Sequence, residues 1–130
     1  MFLDASAIVA MMTREDGYEK FFGDVWVSKY SASSPIAEFE AALAISRKTE
    51  ISKIVAIEKV SWFLQQLDVS MLDIPGNIGS TVVSAYDEFG RGSGHPAKLN
   101  MGDCFAYAMA KRHRLRLLYK GDDFAQTDLA

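Results

Sequence analysis

Residues 1–12 read MFLDASAIVAMM, and the order of residue types within them decides the architecture. Three apolar residues precede an acid, and small and apolar residues follow it at once. MFLD is therefore a very short strand that passes straight into a helix at ASAIVAMM. An acid stands where the chain leaves the sheet, which is also a favoured helix-capping position.

Working outward, the alternation of strand and helix recurs. Residues 15–22 read as a second short helix, and VWVSKYS (25–31) as a strand, because two β-branched valines flank a tryptophan. SSPIAEFEAALAISRK (33–48) opens a strong helix: Ser33 or Ser34 can cap it, Pro35 suits its first turn, and alanines with Leu43 continue it. Helical spacing marks residues 51–67 at Ile51, Ile54, Val55, Val60, Phe63, Leu64 and Leu67, with Ile57 off that stripe. DVSMLDI (68–74) is a strand and residues 78–89 a helix. RGSGHPAKLN (91–100) is a loop rich in Gly and Pro. MGDCFAYAMAKRH (101–113) is a helix, RLLYK (116–120) a strand, and DDFAQTDLA (122–130) a terminal loop with room for a last short strand.

The order β-α-α-β-α-α-β-α-α-β implies an α/β fold, a three-layer sandwich with a central, mainly parallel sheet flanked by helices. No repeat or linker divides the chain, so residues 1–130 are expected to form one domain. In such sheets a ligand site lies beyond the carboxyl ends of the strands, at a switch in strand order. Asp4 ends the first strand, and Asp122 and Asp123 follow the strand RLLYK.

Composition narrows the function. The chain is 49% hydrophobic and 24% charged, with a net charge of −3, the balance of an ordinary globular protein. One cysteine, Cys104, allows no internal disulfide and fits a reducing, cytoplasmic setting. No apolar run reaches the roughly 18 residues of a membrane helix. The acid at position 4 and the lack of a basic start argue against a signal peptide. The charge is unevenly spread: residues 91–120 hold seven of the 14 Lys and Arg, and Asp103 is the one acid among them. Such a basic region marks either a polyanion site or a helix end with cations against its dipole.

Four positions then carry acids that need an explanation. Asp4 can be an N-cap, and Ser6 can either cap in its place or orient it. Glu38 and Glu40 can complement a helix dipole, although Glu40 leads directly into AALAI and is the inward-facing candidate. Asp103 stands one turn into an apolar helix with Ala106, Tyr107 and Ala110 on its face. Asp122 and Asp123 can be turn residues after Gly121. Each structural explanation suffices alone; together they place acids at element ends on one side of the sheet. Clustered carboxylates repel and destabilise unless a cation neutralises them. An oxygen-only donor set without His or Cys suits Mg²⁺ or Mn²⁺, and such an ion activates water against a phosphodiester. His95 and His113 read as a loop residue and a helix-end cation, and Cys104 as core.

MFLDASAIVAMM, SPIAEFEAALAISRK, LNMGDCFAYAMAK and LLYKGDDFAQTDL resemble, in order and spacing, the motif blocks of PIN-domain ribonucleases, most nearly the VapC toxins of type II toxin–antitoxin (VapBC) systems. The resemblance runs from Met1 to about Leu129; between residues 50 and 90 only helical character matches. It implies a PIN-like fold and a Mg²⁺-dependent endoribonuclease toxin. Carried over by motif, the catalytic acids are Asp4, Glu40, Asp103 and Asp123, with Asp122 competing with Asp123 as a metal ligand and Ser6 as the supporting hydroxyl. It also implies a homodimer and a VapB-type antitoxin whose tail occupies the active-site groove. The alternatives are a catalytically silent scaffold of the same fold and a phosphotransfer or phosphatase domain.

Two further expectations concern partners. The loop that leads into the Asp103 helix puts Arg91, Lys98 and Lys120 forward as RNA phosphate contacts. The aromatics Tyr18, Phe21, Phe22, Trp62 and Phe63 are either core or the walls of an antitoxin groove; Tyr18 and Trp62 suit its wet rim.

Overall fold

The computed structural model describes residues 1–129; Ala130, where the terminal strand was expected to end, lies outside them. The chain runs β1 (Phe2–Leu3), α1 (Ala5–Met12), α2 (Tyr18–Val27), β2 (Ala32–Ser33), α3 (Pro35–Thr49), α4 (Lys53–Gln66), β3 (Ser70–Met71), α5 (Gly79–Phe89), α6 (Met101–His113) and β4 (Leu117–Leu118). The element order matches the expected one. Among the described residues, no strand follows β4.

Four parallel strands lie in the order β3-β2-β1-β4. β1 is central, with Phe2 opposite both Ala32 and Leu117. Successive side chains point to opposite faces, and β1 and β4 thereby each feed two cores. Phe2 and Leu117 join α5, α6 and Phe124 on one face. Leu3 and Leu118 join α1, α3 and α4 on the other. The strand order reverses between β1 and β4, so their carboxyl ends flank the crevice where such sheets bind ligands.

Two expectations are corrected. VWVSKYS is not a strand: α2 continues through Val27, and the second strand is Ala32–Ser33. Val-Trp-Val favours a strand locally, but a helix puts Phe21, Phe22 and Val25 on one face against the core and leaves Trp26 and Val27 exposed. The sheet position goes to fully buried Ala32 and Ser33, small enough for helices to cover closely. In α4 the inward face is Ala56, Val60 and Leu64, with Ile57 against the core, while Ile54 and Val55 are exposed. A small alanine therefore marks the stripe where bulkier neighbours were expected to.

Caps begin and end elements as their chemistry dictates. Ser34 accepts the Ala37 N–H ahead of Pro35, and Ser52 accepts the Val55 N–H. Gly121, at φ +98°, turns the chain out of β4 in a conformation that L side chains avoid. No helix among the described residues is long and apolar enough to cross a membrane.

Candidate metal centre

Asp4 is both an N-cap and a buried acid. Its Oδ2 accepts the Ser6 N–H at 2.9 Å and the Ser6 hydroxyl at 2.5 Å. Ser6 Oγ in turn accepts the Lys120 N–H at 3.0 Å, just beyond β4. One hydroxyl thus ties the end of β1 to the end of β4. Asp4 is only 4% exposed. Burial raises its pKa, the Ser6 hydrogen bonds oppose that, and the Asp123 charge adds to it.

Asp103 is fixed by reciprocal capping at the start of α6. Asn100 Oδ1 accepts the Asp103 N–H at 2.8 Å, and Asp103 Oδ2 accepts the Asn100 N–H at 3.0 Å. Its carboxyl is nevertheless pushed up to about 6, first by burial and then by Asp4 and Asp123, against the Asn100 N–H and the Arg91 charge. Glu40, on the second turn of α3, is raised to about 7 by burial, then by Asp4 and Asp103. Its carboxylate lies over the first turn of α6, where a Cβ on Gly102 would sit 2.5 Å from Oε1 and nearer still to Oε2.

Asp4, Glu40, Asp103 and Asp123 come from four parts of the chain and are linked by charge: Asp4 and Asp103 act on Glu40, Asp4 and Asp123 on Asp103, and Asp123 on Asp4. Asp123 is exposed, and its charge reaches both Asp4 and Asp103. Asp122 is not among the charges acting on them; it is exposed, and its carbonyl accepts the Ala125 N–H at 3.1 Å in a turn. Glu38 stands apart from the group, in the first turn of α3. Among the described residues the ion pairs are Lys20–Asp24, Lys48–Glu15, Lys111–Asp128 and Lys120–Glu15, so no Lys or Arg closes on any of the four acids. Nor, among the described residues, are three His, Cys, Asp or Glu side chains gathered closely enough to hold a metal ion as they stand.

The basic residues divide. Arg91 is exposed and close enough to act on Asp103. Lys98 is exposed in the same loop. That loop is closed at its neck by hydrogen bonds from Leu99 N–H to the Phe89 carbonyl (2.8 Å) and from Arg91 N–H to the Leu99 carbonyl (3.0 Å). Lys120 is already engaged: its Nζ lies 2.6 Å from Glu15, which also holds Lys48. His95 is not an open loop residue, since its ring packs edge-on against Phe89 and its Nδ1 accepts the Ala97 N–H. Cys104 is buried core, its thiol raised to about 11 by burial and by Asp103.

A family model described as the PIN domain matches residues 1–129. The chain belongs to the PIN domain family. Full-length relatives of this PIN domain include a VapC ribonuclease of Rhizobium meliloti, 40% identical over 98% of each chain. Another is a VapC ribonuclease of Mycobacterium tuberculosis, 34% identical over 99% of this chain and 96% of its own. A solved toxin–antitoxin complex from Klebsiella pneumoniae superposes with a TM-score of 0.70 at 18% identity, covering 98% of this PIN domain and 92% of that chain, and so shares the fold.

The donor set of this PIN domain fits a divalent cation. It offers carboxylate oxygens alone, partly desolvated and in no ion pair among the described residues, the environment that hard ions such as Mg²⁺ or Mn²⁺ neutralise. Two residues that sequence reasoning missed shape it: Asn100, legible in an N-x-x-D capping pattern, and Gly102, a glycine inside a helix. A cavity of about 670 Å³ beside Trp26 and Tyr30 lies near the amino ends of β2 and β3, away from the acids. A groove of about 470 Å³ between α1, α2 and α4 is lined by Met12, Tyr18, Phe22, Trp62 and Phe63. Trp62 is 63% exposed there, so it is not core.

Proposed function

We infer that this PIN domain is a metal-dependent endoribonuclease and the toxin half of a toxin–antitoxin pair. The observation that carries the reading is the set of four carboxylates, Asp4, Glu40, Asp103 and Asp123, linked by mutual repulsion beyond β1 and β4, with no ion pair to any of them among the described residues. The names of the VapC relatives supply the substrate class.

Asp4, Glu40 and Asp103 would hold the ion, with Asp123 at the exposed rim and Asp122 outside the set. When bound, Mg²⁺ or Mn²⁺ supplies positive charge that lowers the pKa of water and offsets charge on the reacting phosphate. The chain's own work is preorganisation. The Ser6 N–H and hydroxyl fix the Asp4 carboxylate, the hydroxyl being held in turn by the Lys120 N–H, and the Asn100 cap fixes Asp103, so neither has to be ordered during the reaction. Hydrolysis adds one water across a backbone P–O bond, leaving a phosphate monoester on one fragment and a hydroxyl on the other. Flanking phosphates are assigned to Arg91 and Lys98, exposed on the loop before α6; Lys120 is committed to Glu15 and serves the site through its backbone.

The groove between α2 and α4, with Tyr18 and Trp62, is assigned to an apolar antitoxin helix. Exposed Val83, Tyr86 and Met101 beside the acid cluster suit a second copy of the chain in a homodimer. The chain is read as one cytoplasmic domain. The test is cleavage of RNA by purified protein with Mg²⁺, compared with the Asp4→Asn and Asp103→Asn variants. Both should be folded and inactive; metal-dependent cleavage unchanged in both would overturn the assignment. Induced expression should arrest bacterial growth, and co-expression of the adjacent small reading frame should relieve it. Folded protein that neither cleaves nor arrests growth would instead favour a silent scaffold.

A further inference from the structure

The glycine at position 102 has no conformational reason to be there. It sits in the first turn of α6, where the backbone is helical and any residue fits; Gly17, Gly92, Gly94 and Gly121 are the glycines with positive φ. Glycine is among the poorest helix formers. Position 102 is also buried, against α3. The three atoms nearest an added Cβ all belong to one group: Oε2, Cδ and Oε1 of Glu40, the farthest of them at 2.5 Å. The missing side chain is the space that the Glu40 carboxylate occupies.

We propose that Gly102 is a positioning residue that sets the reach of Glu40 into the metal centre. The inference rests on the assignment of Glu40 to that centre. An added methyl group at 102 would push the carboxylate back by about 1 Å to reach the 3.4 Å of ordinary contact. Metal–ligand distances tolerate only about 0.2 Å. The displaced atoms are the end of a flexible side chain, so Glu40 yields and the backbone stays where it is. Gly102→Ala should therefore separate two properties that usually fall together. The helix becomes intrinsically better, and the site becomes worse.

The experiment measures Mn²⁺ binding by calorimetry and thermal unfolding in chelator, using the full chain. Gly102→Ala should melt no lower than the parent and bind Mn²⁺ about 10–100-fold more weakly, the loss typical when the support of a metal ligand is removed. The companion variant Glu40→Asp shortens the acid by one methylene and vacates the space. In that background, adding Gly102→Ala should change Mn²⁺ affinity less than threefold, so that the two substitutions are strongly non-additive. Parental Mn²⁺ affinity in Gly102→Ala, or equal losses in both backgrounds, would overturn the proposal. So would a melting temperature lowered by several degrees or failure to fold, because the clash would then be borne by the backbone. The underlying site assignment fails separately, if Asp4→Asn and Asp103→Asn bind Mn²⁺ as the parent does.

Discussion

Replacing Glu40 with glutamine should stabilise the metal-free protein, and the pH at which it does so is fixed by the acid cluster. Glu40 rises from an ordinary 4.5 to about 7. Each tenfold change in proton affinity is about 1.36 kcal/mol, which sets a ceiling of about 3.4 kcal/mol. Glu40 is only partly buried; solvent screening reduces the expected gain to about 1 kcal/mol. The direction follows from linkage. An acid whose pKa is higher in the fold than in the unfolded chain loses its proton first on unfolding. The parent is therefore penalised progressively from about pH 4.5 up to pH 7, and no further above that. Glutamine cannot ionise and escapes the penalty. Among the described residues the Glu40 carboxylate makes no hydrogen bond for the variant to forfeit. Thermal unfolding in chelator should give equal melting points near pH 4 and a variant about 3–5 °C higher near pH 7.5. Saturating Mg²⁺ should reverse the order, since about 100 Kd of ligand stabilises a competent site by about 2.7 kcal/mol. A variant less stable near pH 7.5 in chelator, or equally stabilised at both pH values, would refute the electrostatic reading.

Other consequences are as specific. Ser6→Ala removes the hydroxyl that donates to Asp4 and accepts from the Lys120 N–H. It should cost about 1–3 kcal/mol in a denaturant titration, the penalty of an N–H left unsatisfied, and should lower cleavage as well. An Arg91→Ala, Lys98→Ala double variant should bind RNA more weakly on every sequence, its log–log salt slope shallower by about one per lost phosphate contact; an unchanged slope would exclude the loop from the RNA path. Trp62→Ala should shift stability by less than about 1 kcal/mol, because the ring is 63% exposed, yet should weaken capture of the antitoxin while metal-dependent cleavage persists. Unaltered capture would move the groove elsewhere.

The architecture was legible wherever apolar periodicity and caps agreed. MFLD passing into ASAIVAMM, and Ser34 with Pro35 ahead of α3, gave element type and position together. VWVSKYS failed because β-branching is a local preference, and a helix that buries Phe21, Phe22 and Val25 together outweighs it. The true second strand, Ala32–Ser33, carries almost no strand signal, since residues squeezed between two helix layers are chosen for smallness. The acids were legible from their places at element ends. Their mutual arrangement was not. The sequence leaves Asp122 and Asp123 equal, whereas in the fold it is the Asp123 charge that acts on Asp4 and Asp103. The commitment of Lys120 to Glu15 was likewise hidden, because the partners are 105 positions apart.

The hydrogen-bonded neck between Gly90 and Leu99 has a consequence for how such a protein can be varied. Residues 91–98 leave and return at the same place, immediately before the Asn100 cap. Its exposed tip, residues 91–94, can then change length or sequence without transmitting strain into α6, whereas His95 and Ala97 stay packed on Phe89 and in the core. Doubling a loop of this kind costs only about 0.6 kcal/mol in closure entropy. Exchanging residues 91–94 among relatives should therefore leave the acids behind them in register, and on the RNA path proposed above it should transplant a preference for flanking sequence.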